Sequence, residues 1–395
     1  MRAATSIPVV VAALLLAGCG GGGGDEKDVA ARPVPPEATQ LSPQRILKSP
    51  TLRSTDVARG FVRISGLVQE PGADGRVLVL EQDGTARWLD GDRPAAGPPF
   101  LDLRTLVSTK DEQGLLGLAF VPGAKGERVV VHYTDKKSHT QVVRFAVRDG
   151  RVDPGSAETL LEVEQPYANN NGGEPVIGPD GRLYVGLGDG GSAYDPRQEA
   201  QDRESQLGKI LSTDPTAAKP SWRQVAIGVR NPWRLSFDAR TGDLWVADAG
   251  RDSAEQQTQE VDRIPASDLR RRRTVNLGWP AFEGARDQTN RRLTSGLPLV
   301  WPVVSYPQRD GCNVVGGRVI RGAAAKALPV LRDRYVFGDT CTSLVSSIPA
   351  DDGPGQEVRR EGITVPQVTA FLFDRRGRLL VGGQDGAVRR LRDAR

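Results

Sequence analysis

Three features of this 395-residue sequence predict an all-β fold. Glycine (46) and proline (28) together make up about a fifth of the chain, which breaks it too often for long helices and supplies frequent turns. A short apolar unit bounded by turns recurs six times. Its spacing, mostly about 40–60 residues, is that of a radial array of small sheets.

The six copies are GRVLVLEQDG from Gly75, GERVVVHYTD from Gly126, GRLYVGLGDG from Gly181, GDLWVADAGR from Gly242, DRYVFGDTCT from Asp333 and GRLLVGGQDG from Gly377. Successive starts lie 51, 55, 61, 91 and 44 residues apart. The 91-residue gap must hold extra loop, and the charged stretches 253–275 and 283–300 supply it. One such strand cannot bury both faces alone, so closing the array into a ring removes the exposed edges. The expectation is a six-bladed β-propeller of about four strands per blade. The terminal GAVRRLR should pair with strands from the start of the domain to close the circle.

The N-terminus reads as targeting. Met1-Arg2 supplies positive charge, Ile7 to Leu16 an apolar stretch too short to span a bilayer, and Leu16-Ala17-Gly18-Cys19 a small-residue cleavage site. This four-residue run resembles the lipobox of bacterial lipoproteins, which makes Cys19 the lipidated residue. Residues 1–18 are then a signal peptide, 19–50 the lipidated cysteine with a flexible Gly/Pro linker, and 51–395 the propeller. Export to the cell envelope follows, with the membrane contacted through the lipid anchor only. Cys312 and Cys341 remain, an even number that suits a disulfide in an oxidising compartment, with two buried free thiols as the alternative.

Composition also excludes several functions. The formal charge is +4, only nine basic residues are lysine, and no basic run exceeds Arg270 to Arg273, so nucleic acid is not an expected partner. His132 and His139 are the only histidines and lie seven residues apart, which rules out a histidine-rich metal site. Gly186-Leu187-Gly188-Asp189-Gly190-Gly191 satisfies G-x-G-x-x-G after a strand-like run. The Ser192-Ala193-Tyr194-Asp195-Pro196 that follows is turn chemistry, so the motif is a blade-edge loop and not a dinucleotide site.

Several ordered stretches resemble the glucose/sorbosone dehydrogenase family: GLLGLAFVP from Gly114, NNGGEPVIGPDGRLYVGLGDGG from Asn170, LGKIL from Leu207 and GVRNPWRLSFD from Gly228. QEVDRI from Gln259, NLGWPAFEG from Asn276, VVGGRVIRG from Val314 and RYVFGDTC from Arg334 continue the order. The resemblance implies a six-bladed propeller and oxidation of a sugar's anomeric hydroxyl, with hydride passing to pyrroloquinoline quinone (PQQ) beside calcium. It places the family's general-base histidine at Asn170, whose amide has no titratable nitrogen near neutral pH. Arg230 and Asn231 match the Arg-Asn pair that faces quinone and substrate. Cys341, Gln367 and Thr369 stand where the glucose dehydrogenase branch carries cations. For calcium, the resemblance implies the Glu260 and Asp287 carboxylates with carbonyls at Leu277 and Glu283, a hard oxygen set. Carbonyls at Gly250 and Arg251 match the quinone-side calcium. The sequence thus presents an intact scaffold with an altered site: a PQQ-dependent sugar dehydrogenase by resemblance, with a non-catalytic propeller binding a sugar, another polar small molecule or a protein at the cell envelope as the alternative, and a purely structural envelope lipoprotein as a third.

Overall fold

The computed structural model describes residues 33–35, 41–72, 75–123, 127–250, 258–288 and 290–394. The signal peptide, Cys19 and Arg251 lie outside them. The chain divides into two compact units, residues 1–34 and 35–395. Of the first, only Pro33 and Val34 are described, and both are without regular structure.

The second unit is a six-bladed β-propeller. Its innermost strands are Ile64–Gln69, Leu115–Phe120, Val176–Ile177, Pro232–Phe237, Val314–Val319 and Val368–Phe373. The second strands are Val77–Glu81, Arg128–Thr134, Leu183–Leu187, Leu244–Asp248, Arg334–Asp339 and Leu379–Gly383. Each of these six falls in one of the six sequence repeats. They are almost wholly buried, because a second strand has a sheet neighbour on each edge and another blade against each face.

Six apolar clusters hold the blades together, one in each seam. The first and second blades share Leu78, Leu80, Leu118, Val129 and Val131, for example. The sixth and first share Leu380, Val388, Ile64 and Val79, so the core is continuous around the ring. The ring is closed as the sequence predicts: Leu52–Ala58 pairs antiparallel with Val388–Asp393 as the outer strand of the sixth blade. A second closure was not foreseen. Gln44–Ile46, inside the stretch read as a linker, pairs parallel with Val358–Arg360 and covers the outer edge of the fifth blade.

At the centre of the ring, Arg234 on the fourth blade is 2% exposed. Its Nε donates to Thr369 O on the sixth blade at 2.9 Å, Nη1 to Leu116 O on the second at 3.4 Å, and Nη2 to Ser65 O on the first. Glu174 lies 3.8 Å away and Arg318 also reaches Glu174. One guanidinium therefore satisfies carbonyls of three other blades at their closest approach. Cys312 and Cys341 form a disulfide, bridging 29 residues next to the fifth blade's Asp339. No helix among the described residues is long and apolar enough to cross a membrane.

Candidate functional site

The site forms where loops from the second, third and fourth blades meet at one end of the ring. Asn170 precedes the innermost strand of the third blade and is fully buried, with φ of 57°. Its backbone N–H donates to Glu112 Oε2 at 2.8 Å, and its Nδ2 donates to Asp189 Oδ1 at 2.8 Å. The backbone passes so close to Gly188 that a Cβ there would fall 1.9 Å from Asn170 O. This explains one glycine of the G-x-G-x-x-G run: it lets two loops touch and cradles no phosphate.

Asp189, at the end of that run, is the hub. It also accepts from Gly191 N–H and from Trp279 Nε1, each at 2.9 Å. Burial pushes its carboxyl up to about 7 in spite of the nearby Arg230. Arg230 and Asn231 are held by Asp248, whose two oxygens accept their backbone N–H groups at 2.8 and 2.6 Å. Burial raises Asp248 to about 6. The Arg230 Nη1 donates to Ala249 O at 2.7 Å and Gly250 O at 2.5 Å, and the guanidinium sits 5.9 Å from the Trp279 ring centre. Asn231 instead faces the second blade, donating from Nδ2 to Glu112 Oε2 at 3.0 Å while its Oδ1 accepts from Gly172.

Two spaces result. A cavity of about 90 Å³ at the mouth is lined by Arg63, Gln82, Glu112, Asn231, Asn313 and Thr369, among others. A second, of about 10 Å³, lies among Arg230, Asp248, Gly250, Glu260, Trp279 and Glu283. The predicted pair is therefore split, with Asn231 in the mouth and Arg230 behind it. Thr369 reaches the mouth, Gln367 is exposed, and Cys341 is held in the disulfide.

Of the calcium candidates, Glu260 and Glu283 meet at the smaller space. Glu260 accepts the Gly284 N–H, and Glu283 pairs with Arg286 at 2.8 Å. Asp287 lies across the same hairpin, opposite Phe282, while Leu277 packs in the core between the third and fourth blades. Strand alternation turns Asp248, Glu260 and Asp262 to the face of Val246 and Ile264, in that same seam. Burial, then neighbouring carboxylates, raises Glu260 and Asp262 well above the usual range, and both Asp262 oxygens lack a partner. Among the described residues, no three acidic, histidine or cysteine side chains stand together in metal-holding geometry. The chemistry of the donors suits a hard divalent cation; their spacing is not that of an assembled site.

Neither histidine enters the site. His132 is buried in the second blade with Nδ1 2.6 Å from Gly173 O, and burial lowers it to about 4. His139 pairs with Glu162 at 3.1 Å on the surface. Sequence reasoning missed Glu112 and Trp279, and it read Asp189 only as part of a turn.

The sequence profile of the glucose/sorbosone dehydrogenase family matches residues 69–298. The chain belongs to this family. Among similar proteins, the HIPL1 protein of Arabidopsis thaliana is 25% identical over 364 residues, covering 69% of this chain and 50% of that protein. The human Hedgehog-interacting protein is 33% identical over 174 residues, 38% of this chain and 25% of that protein. The chain thus spans about half the length, or less, of these relatives. The PQQ-bound aldose sugar dehydrogenase of Streptomyces coelicolor shares the fold, with a TM-score of 0.64 and 20% identity over 87% of this chain and 99% of that one.

Proposed function

We propose that this family member binds a saccharide, or another small polyhydroxylated molecule, at the propeller mouth without quinone-dependent turnover. The observation that carries this reading is the Asn170–Asp189 hydrogen bond. At the position matched to the family's base stands an amide whose N–H₂ is a donor and whose orientation is fixed by a buried carboxylate.

The residues present do not fit PQQ. It is a tricarboxylate and needs cations, yet Glu112 and Asp111 line the mouth, and Arg230 is turned away to the Ala249 and Gly250 carbonyls. A cavity of about 90 Å³ has room for about three waters, well under a usual cofactor pocket of about 300–1,000 Å³. The same space suits the edge of a sugar ring. Glu112 accepts hydroxyl protons, Arg63 donates, and Asn231 and Asn313 offer both functions. A protruding side chain of a protein partner fits the same dimensions, and the human relative's name supports this second reading.

Calorimetry with glucose, cellobiose and PQQ plus Ca²⁺ tests the proposal. Saccharide binding without quinone binding supports it. Retention of quinone, with dye reduction by aldoses, overturns it and restores the dehydrogenase reading. The proposal includes calcium held by Glu260 and the 282–287 hairpin, and export with anchoring through Cys19. Cys19→Ala should release the protein from membranes into the soluble extract; a variant that stays membrane-bound at unchanged mass rejects the anchor.

A further inference from the structure

On the outer hairpin of the sixth blade, arginines face one another across the strands instead of facing carboxylates. In the outer hairpin of that blade, Arg53 stands directly opposite Arg392, and Thr55 opposite Arg390. Cross-strand partners project from the same face, so Arg53, Arg390 and Arg392 share one surface. None has a hydrogen-bond or ion-pair partner for its side chain among the described residues. Burial, then Arg392 and Arg378, lowers the Arg390 pKa, with Asp374 the one nearby charge that opposes them. The turn 374–378 lies at the same end of the sheet, because Leu379 is level with Leu391; its Arg376 adds a cation there, while Arg375 donates to Glu70 O of the first blade at 3.4 Å. The local carboxylate Asp374 is already bonded to Arg378.

Like charges placed opposite one another disfavour the sheet they sit in. Packing does not require them, since Arg53 and Arg392 are exposed. The arrangement calls for an external anion that touches several guanidinium groups at once, and a surface of phosphodiesters provides that. Its position supports such a partner. The chain enters this blade from Gln44–Ile46, so residues 19–42 would reach at most about 80 Å from an anchored cysteine. Gln384, which lines the mouth, is at the opposite end of the same blade from the arginine turn.

We infer that Arg53, Arg390 and Arg392, with Arg376 of the adjoining turn, form a docking surface for anionic phospholipid headgroups, which turns the ligand-binding mouth away from the membrane. The inference draws on the anchoring reading for proximity but not for its contacts. The test therefore uses the full chain carrying Cys19→Ala, which brings no lipid of its own. It should co-sediment with vesicles containing phosphatidylglycerol, not with pure phosphatidylcholine, and should dissociate as ionic strength rises. Combined Arg53→Gln, Arg390→Gln and Arg392→Gln should weaken vesicle binding by about a hundredfold, while the melting temperature should not fall, since the opposed like charges are removed. Substituting Arg270 to Arg273 by glutamine should leave it unchanged. Equal binding by the triple variant, no preference for anionic vesicles, or equal affinity for soluble polyphosphate would each overturn the inference. None of those results bears on whether Cys19→Ala releases the protein from cells, so the two readings fail separately.

Discussion

Asn170 and Asp189 are joined by one 2.8 Å hydrogen bond, and through it the whole candidate site is coupled. Asp189 also holds Trp279, Trp279 stacks near Arg230, and Glu112 holds both Asn170 and Asn231. Restoring a histidine at position 170 therefore changes one member of a connected set. A positioned base contributes about 10²–10⁴ in rate where the rest of a site is sound. Here the mouth offers a tricarboxylate Arg63 alone among its lining cations, against Asp111 and Glu112, so Asn170→His should give no dye reduction with aldoses, PQQ and Ca²⁺. A gain within that range would show that the base alone was missing.

Arg234 is the clearest structural dependency. Its removal would leave carbonyls of Thr369, Leu116 and Ser65 without their donor and Glu174 with Arg318 as its remaining counter-charge. Truncating one partner of such a buried pair costs about 3–5 kcal/mol. Arg234→Ala should lose stability on that scale in denaturant unfolding. Arg240→Ala, in an exposed pair with Asp351, should leave it nearly unchanged.

What the sequence disclosed follows from burial geometry. The six second strands were legible because both faces of each are covered, so runs such as Leu183–Leu187 are apolar throughout. The outer strands were not, since Gln44–Ile46 is three residues long, mostly exposed, and owes its form to a neighbour some 300 residues away. Arg234 looked like one arginine among many because its acceptors are main-chain carbonyls, which leave no mark in sequence. Asp189 was concealed by a glycine pattern whose cause is loop contact. Glu112 sits before the GLLGLAFVP stretch and gains meaning only when the third and fourth blades bring Asn170 and Asn231 to it.

Two buried groups set opposite pH dependences. His132 is neutral in the fold, with a value of about 4 against 6.5 when free. The unfolded chain binds the extra proton between those limits, so stability falls as pH drops from about 6.5 to 4, by about 3 kcal/mol at most. Asp189 is the reverse case. Its carboxyl is raised from 3.8 to about 7, the folded state holds the proton, and stability falls as pH rises through that window. Melting curves from pH 4 to 8 should show His132→Gln flattening the acid limb and Asp189→Asn flattening the approach to neutrality. Unchanged limbs would mean that these groups titrate normally.

The seam between the third and fourth blades carries a charge problem that calcium would resolve. Asp248, Glu260 and Asp262 project into it, and Glu283 approaches from the hairpin. Without a cation, Glu260 and Asp262 are pushed toward their protonated forms, and the Asp262 oxygens have no donor. A divalent ion at Glu260 and the hairpin would displace those protons and stabilise the fold by mass action, about 2.7 kcal/mol when free ion is a hundredfold above its dissociation constant. A chelator should therefore lower the melting temperature and added Ca²⁺ restore it, with proton release on binding. Glu260→Gln should abolish the response to both while leaving the fold intact, since an amide oxygen still accepts the Gly284 N–H. If wild type melts identically with and without chelator, the seam holds its carboxyls protonated and the calcium assignment is wrong.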